Sequence, residues 1–120
     1  KTNKPVGGVS AGAICWFEYA FSERNDNMRS LKGLGVVKCC GEPHHHRYIE
    51  KPFQTQELVK QLKKQCLAID DYAAVYITDN NAIVMAETPK SHAYIIDFDD
   101  GSIKTTVFNH GDSIDIKYML

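Results

Sequence analysis

The chain has 120 residues, of which 43% are hydrophobic and 24% are charged, and its formal net charge at neutral pH is −1. This length and composition predict a single globular domain, residues 1–120, with a core of modest size. No lysine- or arginine-rich stripe and no uninterrupted apolar run of about eighteen residues is visible, so we expect neither a nucleic-acid nor a membrane partner. Residues 1–4 are basic and polar and lead into no signal-peptide core, so we expect a cytoplasmic protein.

The first predicted elements are a short strand and a helix. Residues 6–9 are apolar, and a helical pattern follows them directly. Ile14, Phe17 and Phe21 recur at steps of three and four residues, which is typical of the buried face of a helix. We therefore predict a helix that follows this strand and ends near Ser22.

The middle of the chain is predicted to be a loop, a strand and a second helix. The polar residues 23–30 indicate a loop, and the β-branched segment 35–40 indicates a buried strand. Pro52 suits the first turn of a helix, and residues 57–66 place apolar side chains on one helical face.

The second half of the chain is predicted to contain short strands, because apolar or alternating segments there are separated by turn residues. These segments are 67–70, 73–78, 82–86, 92–98 and 102–108, with Asp99-Asp100-Gly101 as a hairpin turn. The whole order predicts an α/β domain with a parallel layer followed by an antiparallel edge. Because a parallel sheet needs neighbours on both sides, we expect a preceding segment or a partner chain to complete it.

The four cysteines are Cys15, Cys39, Cys40 and Cys66, and they form no C-x-x-C pair. Without a secretory context we expect reduced and mostly buried thiols. The three histidines at 44–46 raise the hypothesis of a metal site with the two adjacent cysteines. Zinc sites usually draw spaced ligand pairs from more than one segment, and no second cluster is visible, so we expect no metal.

One motif in the sequence carries chemistry. Gly8-Val9-Ser10-Ala11-Gly12 fits the pattern G-x-S-x-G. A serine on a sharp strand-to-helix turn has an exposed Oγ at the edge of the sheet, and small flanking residues let the backbone turn tightly. The amide of Ala11 would then donate to a developing oxyanion. The alternative is a glycine-rich turn in which Ser10 merely caps a helix.

A serine nucleophile needs a base, and the base needs an orienting carboxylate. The histidines at 44–46 follow the predicted strand 35–40, and Asp70 and Asp71 follow the next apolar segment. Because the carboxyl ends of parallel strands meet at one edge of a sheet, these side chains should lie near Ser10. The spacing predicts the chain order Ser, His, Asp and leaves open which histidine serves.

Four segments resemble motifs of the peptidase E (aspartyl dipeptidase) family of serine peptidases. They are G-V-S-A-G-A-I-C-W-F-E at 8–18, L-K-G-L-G at 31–35, P-H at 43–44 and I-D-D-Y-A-A at 69–74. The resemblance is good over residues 5–78 and looser beyond them. It implies a class I glutamine-amidotransferase-like three-layer α/β sandwich, of which this chain is the C-terminal portion, ending in antiparallel hairpin strands.

The resemblance also implies roles for individual residues. Ser10 would be the nucleophile, His44 the general base and Asp71 the orienting carboxylate, with no metal or organic cofactor. The substrate would be a short peptide with an N-terminal aspartate. Three positions depart from the family pattern: His45 and His46 follow His44 where aromatic and acidic residues are usual, and Tyr72 replaces a glycine.

Two other functions stay open at this stage. An esterase of the α/β-hydrolase type would run Ser, Asp, His and would use Ser10, Asp79 or Asp97, and His110. The other is a fragmentary family member that acts as a binding module, because the second oxyanion donor of the family lies in its N-terminal half. Losing one such donor costs on the order of a hundred- to a thousandfold in rate. Arg47 is a candidate to bind a substrate carboxylate, against a plain surface arginine.

Overall fold

The computed structural model describes residues 7–24, 27–46, 51–79, 81–115, 117 and 119. These residues contain two α-helices, α1 (Ala11–Ile14) and α2 (Lys51–Leu62). They also contain nine strands: β1 (Phe17–Arg24), β2 (Asn27–Lys32), β3 (Val37–Pro43), β4 (Cys66–Ile69), β5 (Ala73–Ile77), β6 (Ala82–Ala86), β7 (Ala93–Asp99), β8 (Ser102–Phe108) and β9 (Ser113–Ile114).

Six of the strands form one mixed sheet in the order β2-β1-β3-β4-β7-β8. The central strands β1, β3 and β4 run parallel, whereas β2, β7 and β8 pair antiparallel with their neighbours. The domain is therefore α/β, with parallel strands and a late antiparallel edge as the order of elements predicted, and β2 adds a second antiparallel edge that was not predicted. Strands β5, β6 and β9 form a second, antiparallel sheet.

The six-stranded sheet is buried on both faces. On one face Cys39 belongs to a core that includes Val84 and Ile114 of the three-stranded sheet. On the other face its neighbour Cys40 belongs to a core that includes Val59 of α2. Successive side chains of a strand point to opposite faces, so a strand at the centre of this sheet is buried on both of them. The result is three layers: α2, the six-stranded sheet and the three-stranded sheet.

The first predicted helix is wrong beyond its first turn. Helix α1 ends at Ile14, and the residues expected to continue it form β1. A register shift between Phe17 and Tyr19 places Phe17 in the core under the three-stranded sheet and Phe21 in the core under α2. A strand that is buried on both faces can be apolar at any position, so the spacing of Phe17 and Phe21 does not distinguish it from a helix, and this caused the error.

Three neighbouring predictions also need correction. The predicted loop 23–30 is the hairpin between β1 and β2, in which Arg24 pairs with Asn27. The predicted strand 6–9 is not seen at residues 7–9, and residue 6 lies outside the described residues. The predicted helix 57–66 begins earlier and ends at Leu62, because Lys63 adopts a left-handed φ of 53° and Cys66 opens β4.

The remaining predicted strands are present. Strand β3 overlaps the predicted strand 35–40 but begins at Val37 and continues to Pro43, and β4 to β8 correspond to the five predicted late strands. Strand β9 was not predicted. In the part of the chain that the structure describes, no helix combines the length and the apolar character needed to cross a membrane.

Candidate active site

The backbone turns sharply at Ser10. Its φ is 56°, in the left-handed region that non-glycine residues rarely adopt. Directly after the turn, the carbonyl of Ser10 accepts hydrogen bonds from the amides of Ala13 and Ile14 at 3.0 and 3.1 Å. Ile14 is buried in the core and anchors this single helical turn to the sheet. The turn thus holds Ser10 at the start of α1.

The first glycine of the motif has a steric reason. A Cβ on Gly8 would lie 2.2 Å from the carbonyl oxygen of Gly12, so only glycine allows this approach of the two backbone segments. Trp16 donates its Nε1–H to the carbonyl of Gly7 at 3.3 Å, which ties the segment before the serine to the end of α1. The G-x-S-x-G pattern therefore encodes a tight turn here, although residues 7–9 do not form the expected strand.

His44 lies next to Ser10. It follows the last residue of β3, and its Nε2 is 3.1 Å from Ser10 Oγ. Its Nδ1 contacts Oδ1 of Asp71, which lies just after β4. Because a carboxylate only accepts, Nδ1 carries the proton, and the lone pair of Nε2 faces the serine hydroxyl. The side chains of His44 and Asp71 are 24% and 41% exposed, so solvent reaches this row of groups.

The other two histidines of the run face different partners. His45 is buried, and its Nδ1 lies 2.5 Å from Oε1 of Glu42. His46 places its Nδ1 2.8 Å from Oδ1 of Asp70. The sequence left open which of the three histidines serves, and His44 is the one that contacts Ser10.

The carboxylate of Asp70 lies beside the site and connects the loop after β4 to β7. Its Oδ2 accepts hydrogen bonds from the Tyr94 hydroxyl at 2.6 Å and from the His92 amide at 3.0 Å. Burial, and secondarily the hydrogen bond and charge of Asp70, raise the pKa of Tyr94 above its ordinary value. These hydrogen bonds hold Asp70, in the loop that follows β4, against strand β7. The adjacent Asp71 contacts His44 instead.

The remaining sequence candidates have these positions. Ala11 opens α1, so its amide directly follows Ser10 in the chain. Arg47 lies outside the described residues. His110, which the esterase alternative requires, accepts the amide of Ala86 at 3.0 Å on its Nδ1. Asp97, an acid of that alternative, accepts a hydrogen bond from Gln65 at 3.1 Å.

Within the described ranges, no group of three or more His, Cys, Asp or Glu side chains is arranged to hold a metal ion. The neighbouring thiols are also poor nucleophiles. Burial raises the pKa of Cys39 and of Cys40 from 9.0 to about 12, and it raises that of Cys66 well above 9.0. The hydroxyl of Ser10, by contrast, has an imidazole nitrogen 3.1 Å from its oxygen.

Comparison with known proteins agrees with the motif. A family model described as Peptidase family S51 matches residues 1–85, which is more than half of the chain. The chain belongs to peptidase family S51. This confirms the resemblance to the peptidase E family, and the S51 match includes the segments that carry Ser10, His44 and Asp71.

A curated relative supports the S51 assignment. The chain is 32% identical over 81 residues to a protein of Bacillus subtilis (strain 168) named Uncharacterized peptidase YgaJ. The alignment covers 67% of this chain and 35% of the relative, so the chain spans about a third of the length of the curated relative it matches. No solved structure gives a significant match.

Sequence reasoning missed three residues of this S51 site. Glu42, Lys51 and Thr55 are all buried, and they connect the end of β3 to the first turns of α2. One signal was available, because Glu42 lies between the strand 35–40, which was predicted to be buried, and Pro43-His44. A charged residue in such a position needs a partner, but the sequence does not say which one.

Proposed function

We propose that this S51 chain carries the nucleophile, base and orienting carboxylate of a serine-type peptidase that hydrolyses short peptides. The observation that supports the proposal is the row of contacts from Ser10 Oγ to His44 Nε2 and from His44 Nδ1 to Asp71. A hydroxyl is a weak nucleophile, and an imidazole at 3.1 Å is within reach of its proton.

The proposed reaction runs in two halves. Ser10 Oγ attacks the peptide carbonyl carbon while His44 Nε2 takes the hydroxyl proton. The tetrahedral oxyanion then receives a hydrogen bond from the Ala11 amide, and its collapse breaks the C–N bond as His44 protonates the leaving amine. Water, activated by the same imidazole, releases the acyl group. Asp71 holds Nδ1 protonated and stabilises the imidazolium in both halves.

The substrate proposal rests on the family resemblance. Members of the peptidase E family cleave peptides after an N-terminal aspartate, and we propose the same preference here. Arg47, next to the histidines in sequence, remains our candidate for a partner of a substrate carboxylate. A second oxyanion donor would come from a further segment or a partner chain.

We propose the class I glutamine-amidotransferase-like sandwich as the fold of the complete domain. The support is the mixed six-stranded sheet with a parallel centre and layers on both faces. In this proposal, further strands from another segment or from a partner chain complete the sheet.

A fluorophosphonate probe tests the proposal on the intact protein. We expect Ser10 to be labelled, Ser10→Ala to abolish labelling, and Asp71→Asn to slow it by about ten-thousandfold through the wrong imidazole tautomer. His44→Gln should slow labelling at least as much, because it removes the base. His110→Gln is the matched control, since that imidazole contacts the amide of Ala86 instead, and it should label normally.

The other outcomes of this experiment are equally clear. Loss of labelling in His110→Gln with normal labelling in His44→Gln would favour the esterase arrangement. No labelling of the folded wild-type protein would favour a binding module. Labelling that persists in Ser10→Ala would defeat the assignment of the nucleophile.

A further inference from the structure

A buried lysine holds the backbone on both sides of His44. Lys51 is the first residue of α2 and is 4% exposed. Its Nζ donates hydrogen bonds to the carbonyl oxygen of Pro43 and, at 2.9 Å, to that of His44. These two carbonyls belong to the peptide units before and after the Cα of His44, so one ammonium restrains both of them.

The ammonium is held in turn by a buried carboxylate. Glu42 is 1% exposed, and its Oε2 lies 3.6 Å from Lys51 Nζ and 2.8 Å from Thr55 Oγ1, which donates to it. Its Oε1 meets Nδ1 of His45 at 2.5 Å. A buried charge is tolerated only when it is paired and hydrogen-bonded, and both ions meet this condition here.

The stability of α2 does not explain this lysine. A cation at the first position of a helix faces the positive end of the helix dipole, which disfavours it. Lys60, on the same helix, shows the ordinary alternative: its side chain is 44% exposed and pairs with Glu57 one turn away. The position of Lys51 is explained instead by the two carbonyl oxygens that it contacts.

The restrained backbone is a strained one. His44 has a φ of 55°, and a residue with a Cβ adopts this left-handed conformation only at a cost in free energy. The direction of the imidazole toward Ser10 depends on this conformation, because the side chain leaves the backbone at the residue that is turned. Hydrogen bonds that grip both adjacent peptide units are a direct means of keeping it there.

We propose that Lys51 is a positioning residue, with Glu42 as its support, that holds His44 in the conformation in which Nε2 meets Ser10 Oγ. This inference rests on the proposed function for its effect on rate. The proposed role of Lys51 and Glu42 is to position His44, because their described contacts include His44 and its neighbours but not Ser10.

The variants must separate placement from simple loss of folding. Lys51→Met alone leaves Glu42 as an unpaired buried charge, which is strongly destabilising. The double variant Lys51→Met/Glu42→Gln removes both charges and keeps side chains of similar size, so we expect it to fold. Lys60→Met is the matched control, because it removes an exposed lysine from the same helix.

The first readout is the rate at which a fluorophosphonate labels each protein. A separate thermal unfolding measurement first confirms that each variant is folded. We expect the double variant to label about tenfold to a hundredfold more slowly than the wild type, the usual cost of a misplaced catalytic group. Lys60→Met should label at the wild-type rate. Wild-type labelling by the folded double variant would overturn the proposal.

The second readout does not require activity. The proton on His44 Nδ1, bonded to the Asp71 carboxylate, should give a downfield NMR resonance that His44→Gln identifies by its loss. We expect this resonance to shift or vanish in the double variant and to persist in Lys60→Met. If the wild-type protein is never labelled, the proposed function fails, and the resonance becomes the test of Lys51. Persistence of the resonance in the double variant would then overturn the positioning role.

Discussion

Left-handed backbone conformations mark the candidate site at the scale of single residues. Ser10, His44 and Tyr72 have φ values of 56°, 55° and 64°. Two of them belong to the Ser-His-Asp row, and the third directly follows Asp71. Each such conformation costs about 1–2 kcal/mol for a residue with a Cβ, and strain of this kind tends to gather at functional sites.

Tyr72 allows the cost of this strain to be measured without touching the reactive groups. Its side chain is 69% exposed, so Tyr72→Gly removes little packing. We expect the variant to be more stable by roughly 0.5–1 kcal/mol, because the relief of the left-handed strain exceeds the added entropy of a glycine in the unfolded chain. Urea denaturation measures the change.

Ala74→Gly is the control for this prediction. Ala74 is exposed in the neighbouring strand β5 and has no left-handed φ, so the glycine should destabilise by about 0.5–1 kcal/mol. A Tyr72→Gly variant that loses as much stability as Ala74→Gly would show that the turn at residue 72 is not strained.

At the scale of elements, the parallel pair of β1 and β3 carries the site, because β3 delivers His44. The two strands meet closely at Gly41: a Cβ there would lie 2.6 Å from the Phe17 ring. Phe17 is 6% exposed and cannot move aside without disturbing the core. The absence of a side chain at residue 41 therefore sets how closely the end of β3 approaches β1.

Gly41→Ala tests this contact. Overpacking a filled core costs about 1–3 kcal/mol, and we expect a loss of stability in that range from thermal or urea unfolding. Gly12→Ala is the matched control, since nothing lies within 4 Å of the added Cβ and alanine suits a helix, so it should not destabilise.

A double variant shows whether the contact with Phe17 is the cause. If the ring opposes the new methyl group, Phe17→Leu should cost less in the Gly41→Ala background than in the wild type. Strictly additive losses would mean that the two residues do not meet in solution, and the register of β1 on β3 would then need revision.

At the scale of the whole molecule, two cores enclose the six-stranded sheet, and thiols lie in both. Cys39 belongs to one core, and Cys40 and Cys66 to the other. Burial is the largest cause of the raised pKa of each of these thiols. Their ionisation therefore reports on the integrity of both cores.

The raised values predict a loss of stability in alkali. In the unfolded chain a thiol ionises near its ordinary pKa of 9.0, whereas folded Cys39 and Cys40 keep their protons up to about 12. Between these values the folded state binds more protons, so the free energy of unfolding should fall as pH rises, by about 1.4 kcal/mol per pH unit for each thiol. Below the lower value these thiols add no pH dependence.

Urea denaturation at neutral pH and at about pH 10 measures this slope. Cys66→Ala should flatten the slope, because one buried thiol is removed. A pH dependence that is identical in Cys66→Ala and in the wild type would contradict the assignment of the effect to buried thiols.

Much of the fold followed from local pattern. The late strands β4 to β8 and the hairpin turn at 99–101 were predicted correctly, because alternation and turn residues act over a few neighbouring positions. Strand β1 was not, since a strand buried on both faces can be apolar at any position and so can match the spacing of a helix. The start of α2 lies at Lys51, whose contacts with Pro43, His44 and Glu42 are not local.

For the candidate site, the sequence was sufficient to name Ser10, a run of three histidines and a pair of aspartates, because a serine turn and the ends of parallel strands leave recognisable residues at short range. Spacing alone left open which histidine and which aspartate serve, and the family resemblance implied His44 and Asp71. The folded chain places His44 in contact with both Ser10 and Asp71, and it alone revealed the contacts of Lys51 and Glu42 with this segment. These are contacts between segments far apart in sequence, set by the packing of α2 and β3, and no local pattern specifies them.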